Sequence, residues 1–297
     1  MRKKSMVENT AKIIFLICAI VAIFAVISIT LYMFLKGTPA FAKVGVIDLL
    51  FGTEWTPTAA DPKYGILYII LTSIIGTAVS ILIGVPIALL TAVFLTEVSN
   101  KKLSAIVQPA VELLAAIPSV IYGLLGLMIL NPIMYKLEKY FFEGSTTHQF
   151  TGGSNLLAAI IVLAIMILPT VINMSVSAIK AVPQQMRSAS LALGATKIQT
   201  IFKVTIPAAK SGIMTGIVLG IGRAIGETMA VIMIAGNQPR MPKGILQGVR
   251  TLTTNIAMEM GYAQDLHREA LIATGVVLFV FVLIINLLFS VMKRRNK

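Results

Sequence analysis

The stretch GIMTGIVLGIGRAIGETMAVIMIAG, residues 212–236, is apolar except for one arginine and one glutamate, Arg223 and Glu227. It is long enough to cross a bilayer as a helix. Arg223 lies roughly 16 Å from its start, close to the middle of a hydrocarbon core about 30 Å thick. A charge at that depth is costly, so such residues usually face a bundle interior, a pore or a partner protein. A buried cation here indicates a pathway for anions.

The whole chain has the composition of a membrane protein. Of its 297 residues 57% are hydrophobic and 12% are charged, whereas about 25% are charged in soluble proteins. The formal net charge of +13 comes from basic residues that flank apolar stretches, and no aromatic-interleaved basic patch indicates nucleic-acid binding. The single cysteine, Cys18, lies inside an apolar stretch, which excludes an intrachain disulfide and a thiolate metal site.

Six apolar stretches are long enough to span a membrane, which predicts an all-α integral membrane protein with six transmembrane helices. They are residues 13–35, 66–96, 105–130, 155–178, 212–235 and 269–292. The first stretch follows basic residues as a signal peptide does, but it is longer than the about 7–15 residues of a signal h-region. We therefore expect a retained helix. Pro86 in the second stretch, Pro109 and Pro118 in the third and Pro169 in the fourth are candidate kinks, and ordinary transmembrane prolines are the alternative for each.

The distribution of Lys and Arg predicts the orientation of the chain. When the N-terminus is placed inside, basic residues in the cytoplasmic segments outnumber those on the opposite side. Basic residues accumulate in cytoplasmic loops, so this bias places both termini in the cytoplasm.

The charged pair shares a helix face with three glycines. Gly212, Gly216, Gly220, Arg223 and Glu227 fall within an arc of roughly 80° at helical spacing. Small residues four apart let helix backbones approach closely, so this face points away from lipid. An internal ion pair that fastens the bundle is one interpretation, and a functional anion site is the other. The arginine precedes the glutamate, which is the weaker order for a helical pair, and this favours the functional interpretation.

Other candidate residues are few. Glu112 is a further carboxylate within an apolar stretch, and it either pairs with Arg223 or caps a helix end. His148 and His267 fall in different outer loops, where we expect solvated side chains rather than metal ligands. Walker A, G-x-S-x-G and H-E-x-x-H patterns are absent from the sequence. We therefore expect no catalytic residue, no metal and no cofactor bound by this chain, and any energy for transport has to come from another subunit.

The longest predicted cytoplasmic loop, residues 179–211, has an ordered pattern. It contains VPQQMR at 182–187, SASLALGA at 188–195 and VTIP at 204–207. A glycine and a later proline separated by helix-forming residues predict two short helices with a turn at Gly194. A plain pair of amphipathic helices at the membrane surface is the alternative.

In this loop the chain resembles the permease subunits of binding-protein-dependent ABC importers. Their loop reads E-A-A, three residues, G, nine residues, then I-x-L-P. Gly194 and Pro207 match that pattern, whereas Ser188-Ala189-Ser190 stands where E-A-A is expected. The resemblance implies a type I ABC importer permease fold, with a coupling helix that docks on an ATP-binding subunit. The implied coupling residues are Ser188, Ala189, Leu193, Gly194, Ala195 and Pro207.

Three further stretches narrow the resemblance to phosphate importer permeases of the PstC type. They are GRAIGET at 222–228, YGIL at 64–67, and RTLT followed by NIA within 250–257. The resemblance implies a permease domain at 66–292 that contains the coupling loop. An additional helix and outer loop at 1–65 precede it, and a basic cytoplasmic tail at 293–297 follows.

The same resemblance implies partners and a mechanism. The partners are a PstA-like second permease, two PstB-like subunits that bind ATP and Mg, and a PstS-like extracytoplasmic phosphate-binding protein at the inner membrane. Arg223 is expected to contact phosphate through charge-assisted hydrogen bonds, and Glu227 to neutralise it when the pathway is empty. Thr228 and Glu112 are the other expected pathway residues. A permease for phosphonate, sulfate or molybdate, and a passive anion channel, are the alternatives; a membrane enzyme is the least favoured class.

Overall fold

The computed structural model describes residues 2–145 and 148–295, and most of these residues are helical. In chain order the helices are α1 (Arg2–Val44), α2 (Val46–Phe51), α3 (Leu67–Val93), α4 (Lys101–Ala116), α5 (Ser119–Leu125), α6 (Asn131–Phe142), α7 (Leu156–Lys180), α8 (Gln184–Ala192), α9 (Lys197–Thr200), α10 (Ile206–Gly226), α11 (Met229–Ile234), α12 (Leu252–Glu259) and α13 (Asp265–Arg295). Between α2 and α3, strands β1 (Trp55–Thr56) and β2 (Lys63–Tyr64) pair antiparallel. Single π-helical turns at Gly126–Leu130 and Ile201–Thr205 join neighbouring helices into longer rods, and a third at Phe94–Val98 extends α3 to its end.

Six of these rods are long and apolar enough to cross a membrane, which confirms the predicted all-α class and the number of spans. They are Thr10–Val44, Leu67–Val98, Ser119–Phe142, Leu156–Lys180, Lys197–Gly226 and Asp265–Val291. The first, second, fourth and sixth agree with the sequence prediction within a few residues at most ends. The third and fifth differ from it.

The third predicted span, 105–130, was wrong because a break divides it. Ile117 and Pro118 have extended backbones, with ψ of 126° and 141°. Proline disfavours helical geometry in the residue before it, so α4 ends at Ala116 and the spanning rod begins at Ser119. The α4 helix is amphipathic rather than uniformly apolar, and it is not one of the six spans.

The fifth predicted span, 212–235, was displaced from the observed one. The spanning rod begins at Lys197, within the predicted coupling loop, and ends at Gly226. Glu227 has an extended backbone, with φ −69° and ψ 129°, and α11 begins two residues later. The break therefore separates the two charged residues that the sequence places on one helix.

The fourth span, α7, is the centre of the bundle. In its most apolar stretch 67% of the residues are buried, against at most 33% in the other five spans. Glycines allow α10 to approach it closely. A Cβ added at Gly212 would lie 2.5 Å from the Ala178 Cβ, and one added at Gly216 would lie 2.6 Å from the Met174 Cβ. The close-packing glycine face predicted from the sequence is therefore confirmed.

The additional N-terminal helix, α1, joins the bundle through α13. Gly37 of α1 lies against Ala273 and Val276 of α13. A cluster of buried apolar side chains packs beside the β1–β2 hairpin. It includes Leu49, Trp55, Ile66, Leu252 and Leu271. The outer loop, α12 and the start of α13 consequently form one packed unit.

Candidate functional site

Arg223 lies in the last turn of α10, at the point where the span ends. Its side chain is half-buried, and within 2–145 and 148–295 it makes no hydrogen bond or ion pair. Its charge acts electrostatically on the phenol of Tyr122 in α5, whose hydroxyl donates to the Leu114 carbonyl at 2.8 Å. A cation near a helix C-terminus is stabilised by the exposed carbonyls of that terminus. The guanidinium nevertheless keeps its donors available for an anion.

Glu227 is buried in the seam where α3, α7 and α11 meet. Its Oε1 accepts from the Ala230 backbone N–H at 3.1 Å, and its backbone carbonyl accepts from the Thr253 hydroxyl at 2.8 Å. The adjoining cavity has a volume of about 10 Å³. That volume holds a single water molecule at most, and a phosphate does not fit.

Arg223 and Glu227 form no ion pair within the part of the chain that the structure describes, contrary to the predicted pairing. The helix ends between them, so the i,i+4 geometry of a continuous helix is lost. Each charge instead lies at a helix end of opposite polarity: Arg223 at the C-terminus of α10 and Glu227 beside the N-terminus of α11. An arginine that precedes a glutamate is the weaker order within one helix. It is favourable here because the arginine lies at the C-terminus of one helix and the glutamate beside the N-terminus of the next.

The other predicted pathway residues, Glu112 and Thr228, form hydrogen bonds with groups other than Arg223. Glu112 is exposed in the middle of α4, where it accepts from Gln108 Nε2 at 3.2 Å rather than pairing with Arg223 or capping a helix. Lys180 Nζ donates to Gln108 Oε1 at 2.9 Å. Thr228 is half-buried beside the break, and its hydroxyl donates to the Gly226 carbonyl at 3.2 Å.

The predicted coupling loop folds as two short helices with a turn at Gly194. Gly194 has φ +84°, a conformation that glycine adopts at low cost. Thr196 and Gln199 cap the start of α9 reciprocally. The structure therefore confirms the turn at Gly194 and the short helix before it, whereas the second helix, α9, is the first turn of the fifth span.

Most of the predicted coupling residues face solvent. Ser188, Ala189 and Gly194 are exposed, Ala195 is half-buried, and Leu193 is 89% exposed. Pro207 lies inside the fifth rod, directly after the π-helical turn Ile201–Thr205, which is the kind of local distortion that accompanies a proline within a helix. The tip of the loop thus exposes the apolar side chain of Leu193 next to an ordered turn, and exposed apolar side chains are common at protein–protein contacts.

The helix α8 is tied to two spans by Arg187, a residue that sequence reasoning did not select. Its guanidinium Nη1 lies 2.6 Å from Glu97 Oε1, and its Nη2 donates to the Ile179 carbonyl at 2.7 Å. The side chains of Arg187 and Glu97 are 16% and 9% exposed. A sequence signal existed, because Glu97 is the acidic residue at the end of a long apolar span.

A second missed group of residues surrounds the buried carboxylate of Glu259, next to the β1–β2 hairpin. Its Oε1 accepts from Arg250 Nη1 at 2.5 Å. Its Oε2 accepts from Trp55 Nε1 at 2.9 Å and lies 2.8 Å from His267 Nε2. Burial, and then the Glu259 carboxylate, raise the pKa of the neighbouring Tyr262 phenol. No sequence spacing joins these residues.

Both histidines are buried against carboxylates, so the expectation of solvated side chains was wrong. His148 Nε2 lies 2.8 Å from Oε1 of Glu138, and its ring stacks on Phe142 with centroids 3.9 Å apart. Glu138 also accepts from the backbone N–H of Thr151 at 2.8 Å. Among the described residues no group of three or more His, Cys, Asp or Glu side chains has metal-binding geometry.

The sequence profile of the family "Binding-protein-dependent transport system inner membrane component" matches residues 84–297. The probable ABC transporter permease protein YqgH of Bacillus subtilis is 39% identical over 98% of this chain and 92% of that protein. The phosphate transport system permease protein PstC of Xylella fastidiosa is 36% identical over 86% of this chain and 81% of that protein.

Solved structures show the same fold at lower identity. The MetNI methionine ABC transporter has a chain that superposes with TM-score 0.60 at 22% identity, covering 78% of this chain and 96% of that one. A bacterial alginate ABC transporter, in complex with alginate pentasaccharide-bound periplasmic protein, gives TM-score 0.62 at 20% identity over 92% and 94%. These chains share the type I importer permease architecture.

Proposed function

Since the chain belongs to the family of binding-protein-dependent transport system inner membrane components, we propose that it is the permease subunit of an ATP-driven importer that moves inorganic phosphate across the cytoplasmic membrane. Several relatives named as phosphate transport system permeases are 32% to 36% identical to it. The proposal places this chain with those relatives rather than with permeases for phosphonate, sulfate or molybdate. Family membership also disfavours a passive channel, which has no use for a coupling loop.

The half-buried guanidinium of Arg223 is the observation that supports an anionic substrate. It lies at the end of a membrane span, without an ion-pair partner among the described residues. A guanidinium binds phosphate through paired, charge-assisted hydrogen bonds, and it remains charged at any physiological pH. In this proposal Arg223 contacts the passing anion. Glu227 does not neutralise Arg223 directly in this proposal. It accepts a hydrogen bond at the start of α11 and so stabilises the helix break beside Arg223.

The coupling loop supports the proposed ATP-binding partner. Leu193 is 89% exposed and Leu191 50% exposed, although large apolar side chains are usually covered. We propose that two PstB-like subunits, which hold ATP and Mg, bind the tips of this loop and of its counterpart on a PstA-like second permease. A PstS-like protein would deliver phosphate from the opposite side.

The number of spans supports the proposed orientation. An even number of spans, six, brings both termini to one side of the membrane. The excess of Lys and Arg makes that side the cytoplasm. The coupling loop then faces the compartment that supplies ATP.

Phosphate uptake into vesicles tests the assigned role of Arg223. Losing a hydrogen bond to a charged group costs about 1.5–3 kcal/mol, so uptake by Arg223→Ala should fall roughly tenfold to a hundredfold. Arg223→Lys keeps the charge but not the fork of donors, and we expect an intermediate rate. Arg240→Ala removes an exposed outer-loop arginine and serves as the matched control.

Two checks decide how the uptake assay is interpreted: retention of the ATP-binding partner by each variant, and competition by other anions. Each variant is purified in mild detergent, and only preparations that retain the ATP-binding partner are compared. Full uptake by both Arg223 variants would remove Arg223 from the pathway. Unlabelled phosphate should compete with labelled phosphate for uptake. If sulfate or molybdate competes and unlabelled phosphate does not, the proposed substrate is refuted.

A further inference from the structure

The helix α8 is held to the membrane-embedded body by polar contacts rather than by apolar packing. None of its residues is buried, and Leu191 on it is half exposed. Arg187 and Ser190, one turn apart, are its less exposed side chains. Ser190 contacts the Thr200 hydroxyl at 2.9 Å, which ties α8 to the first turn of the fifth span. Among the described residues, Arg187 supplies the charged connection from α8 to two other spans, those of α3 and α7.

The two groups that Arg187 contacts belong to different spans. Glu97 lies in the π-helical turn that ends the α3 rod, and Ile179 lies in the last turn of α7. One side chain thus joins the inner ends of two helices to α8. Because the pair is largely buried, water does not screen it as it screens a surface pair.

The joined helices lead to Arg223. The α7 helix packs along both α3 and α10, and the closest approaches of α10 involve Gly212 and Gly216. Packed interiors transmit displacement because they contain few voids. A displacement of α8 that moves the inner ends of α3 and α7 consequently reaches the helix that carries Arg223.

We propose that Arg187 is a positioning residue, through which movement of α8 on the ATP-binding subunit is passed to α3 and α7. The proposal rests on the coupling role given to this loop in the proposed function. It adds the step by which the loop acts on the spans. Arg187 and Glu97 do not touch the substrate in this scheme.

The test compares Glu97→Gln, Arg187→Gln and the double variant in the complete complex, reconstituted in liposomes with its ATP-binding and phosphate-binding partners. Phosphate uptake and ATP hydrolysis are measured on the same preparation. We expect each single variant to lower the phosphate taken up per ATP about five-fold or more. The double variant should be no lower than the worse single variant, because both changes break one contact.

Glu143→Gln is the matched control, since it removes an exposed ion pair with Lys139 at 3.9 Å. Its uptake per ATP should equal that of the parent. An unchanged ratio in the Arg187 and Glu97 variants would overturn the proposal. So would an equal loss of uptake and hydrolysis, or single effects that multiply in the double variant.

A second readout does not depend on which anion is carried. In a Cys18→Ser background with cysteine-free partners, a fluorescent label is attached at Met229→Cys, directly after the helix break. ATP with Mg should change its emission in the parent, and the change should be lost in Glu97→Gln and Arg187→Gln while hydrolysis continues. An equal response in parent and variants would overturn the proposal. A normal response without phosphate uptake in the parent would refute the proposed substrate instead.

Discussion

The buried carboxylate of Glu259 should be a main determinant of the stability of the packed unit formed by the β1–β2 hairpin, α12 and the start of α13. It accepts from Arg250 and from the indole N–H of Trp55, and it contacts His267, so it joins the outer loop, α12 and α13. The side chains of Arg250 and Glu259 are 11% and 8% exposed. Glu259→Gln keeps the shape of the side chain and removes its charge, which leaves Arg250 without a counter-ion.

The expected loss follows from that burial. Removing one partner of a buried ion pair costs about 3–5 kcal/mol, because the other charge stays buried and uncompensated. Glutamine keeps one acceptor oxygen, so we expect the lower end, about 3 kcal/mol. With roughly 2–4 °C per kcal/mol for a large domain, the unfolding midpoint should fall by about 6–12 °C.

Trp55 makes this change directly measurable. It is the only tryptophan in the chain, and it is 4% exposed. Thermal unfolding of the purified permease in mild detergent is followed by its emission. A carboxylate at the indole N–H stabilises the excited state of the ring, so in Glu259→Gln the emission maximum of the folded protein should lie further to the blue.

Glu269→Gln is the control, because it breaks an ion pair of similar length in a wetter setting. Lys43 Nζ lies 2.8 Å from Glu269 Oε2, with side chains 55% and 27% exposed. A partly exposed pair of this kind contributes less than about 1 kcal/mol. If both variants unfold at the same midpoint, or if Trp55 emission is unchanged in Glu259→Gln, the reasoning from burial is refuted.

Two glycine predictions complete the set. Gly216→Ala places a Cβ 2.6 Å from that of Met174, so the free energy of unfolding should fall by about 1–3 kcal/mol. Gly222→Ala is the control, because a Cβ there has no neighbour within 4 Å and should not destabilise the protein. Equal unfolding midpoints for the two variants would contradict close packing of α10 on α7. Gly194→Pro cannot adopt the φ of +84° and loses the N–H that donates to the Leu191 carbonyl at 3.0 Å. Membrane insertion should persist while uptake per ATP falls, and normal stimulated hydrolysis with normal uptake would refute its role.

Features with a local cause were predictable from the sequence. Apolar length predicted the number of spans and the position of four of them. Glycine spacing predicted the face of α10 that packs on α7, and Gly194 predicted the turn in the coupling loop. Each of these features depends on residues that are close together in the chain. Their local backbone conformation and helix packing follow from the residue types themselves. The position of Arg223 at the end of a span was missed, although its half-buried setting was anticipated.

Features that depend on distant residues were not predictable. The carbonyl of Glu227 at the break accepts a hydrogen bond from Thr253, which lies 26 residues later in the chain. Trp55 and Glu259, which share a hydrogen bond, are 204 residues apart. Apolar periodicity also favoured one long helix through Pro118, because the pattern does not register the steric restriction that proline places on Ile117.

The first span is attached to the rest of the protein over only part of its length. From Lys12 to Ile27 every side chain of α1 is exposed, whereas near Gly37 it lies against α13. Few protein atoms contact the N-terminal half of α1, so little force passes between it and the other spans. The ends of α3 and α7 next to the coupling loop can therefore shift without displacing that half of α1.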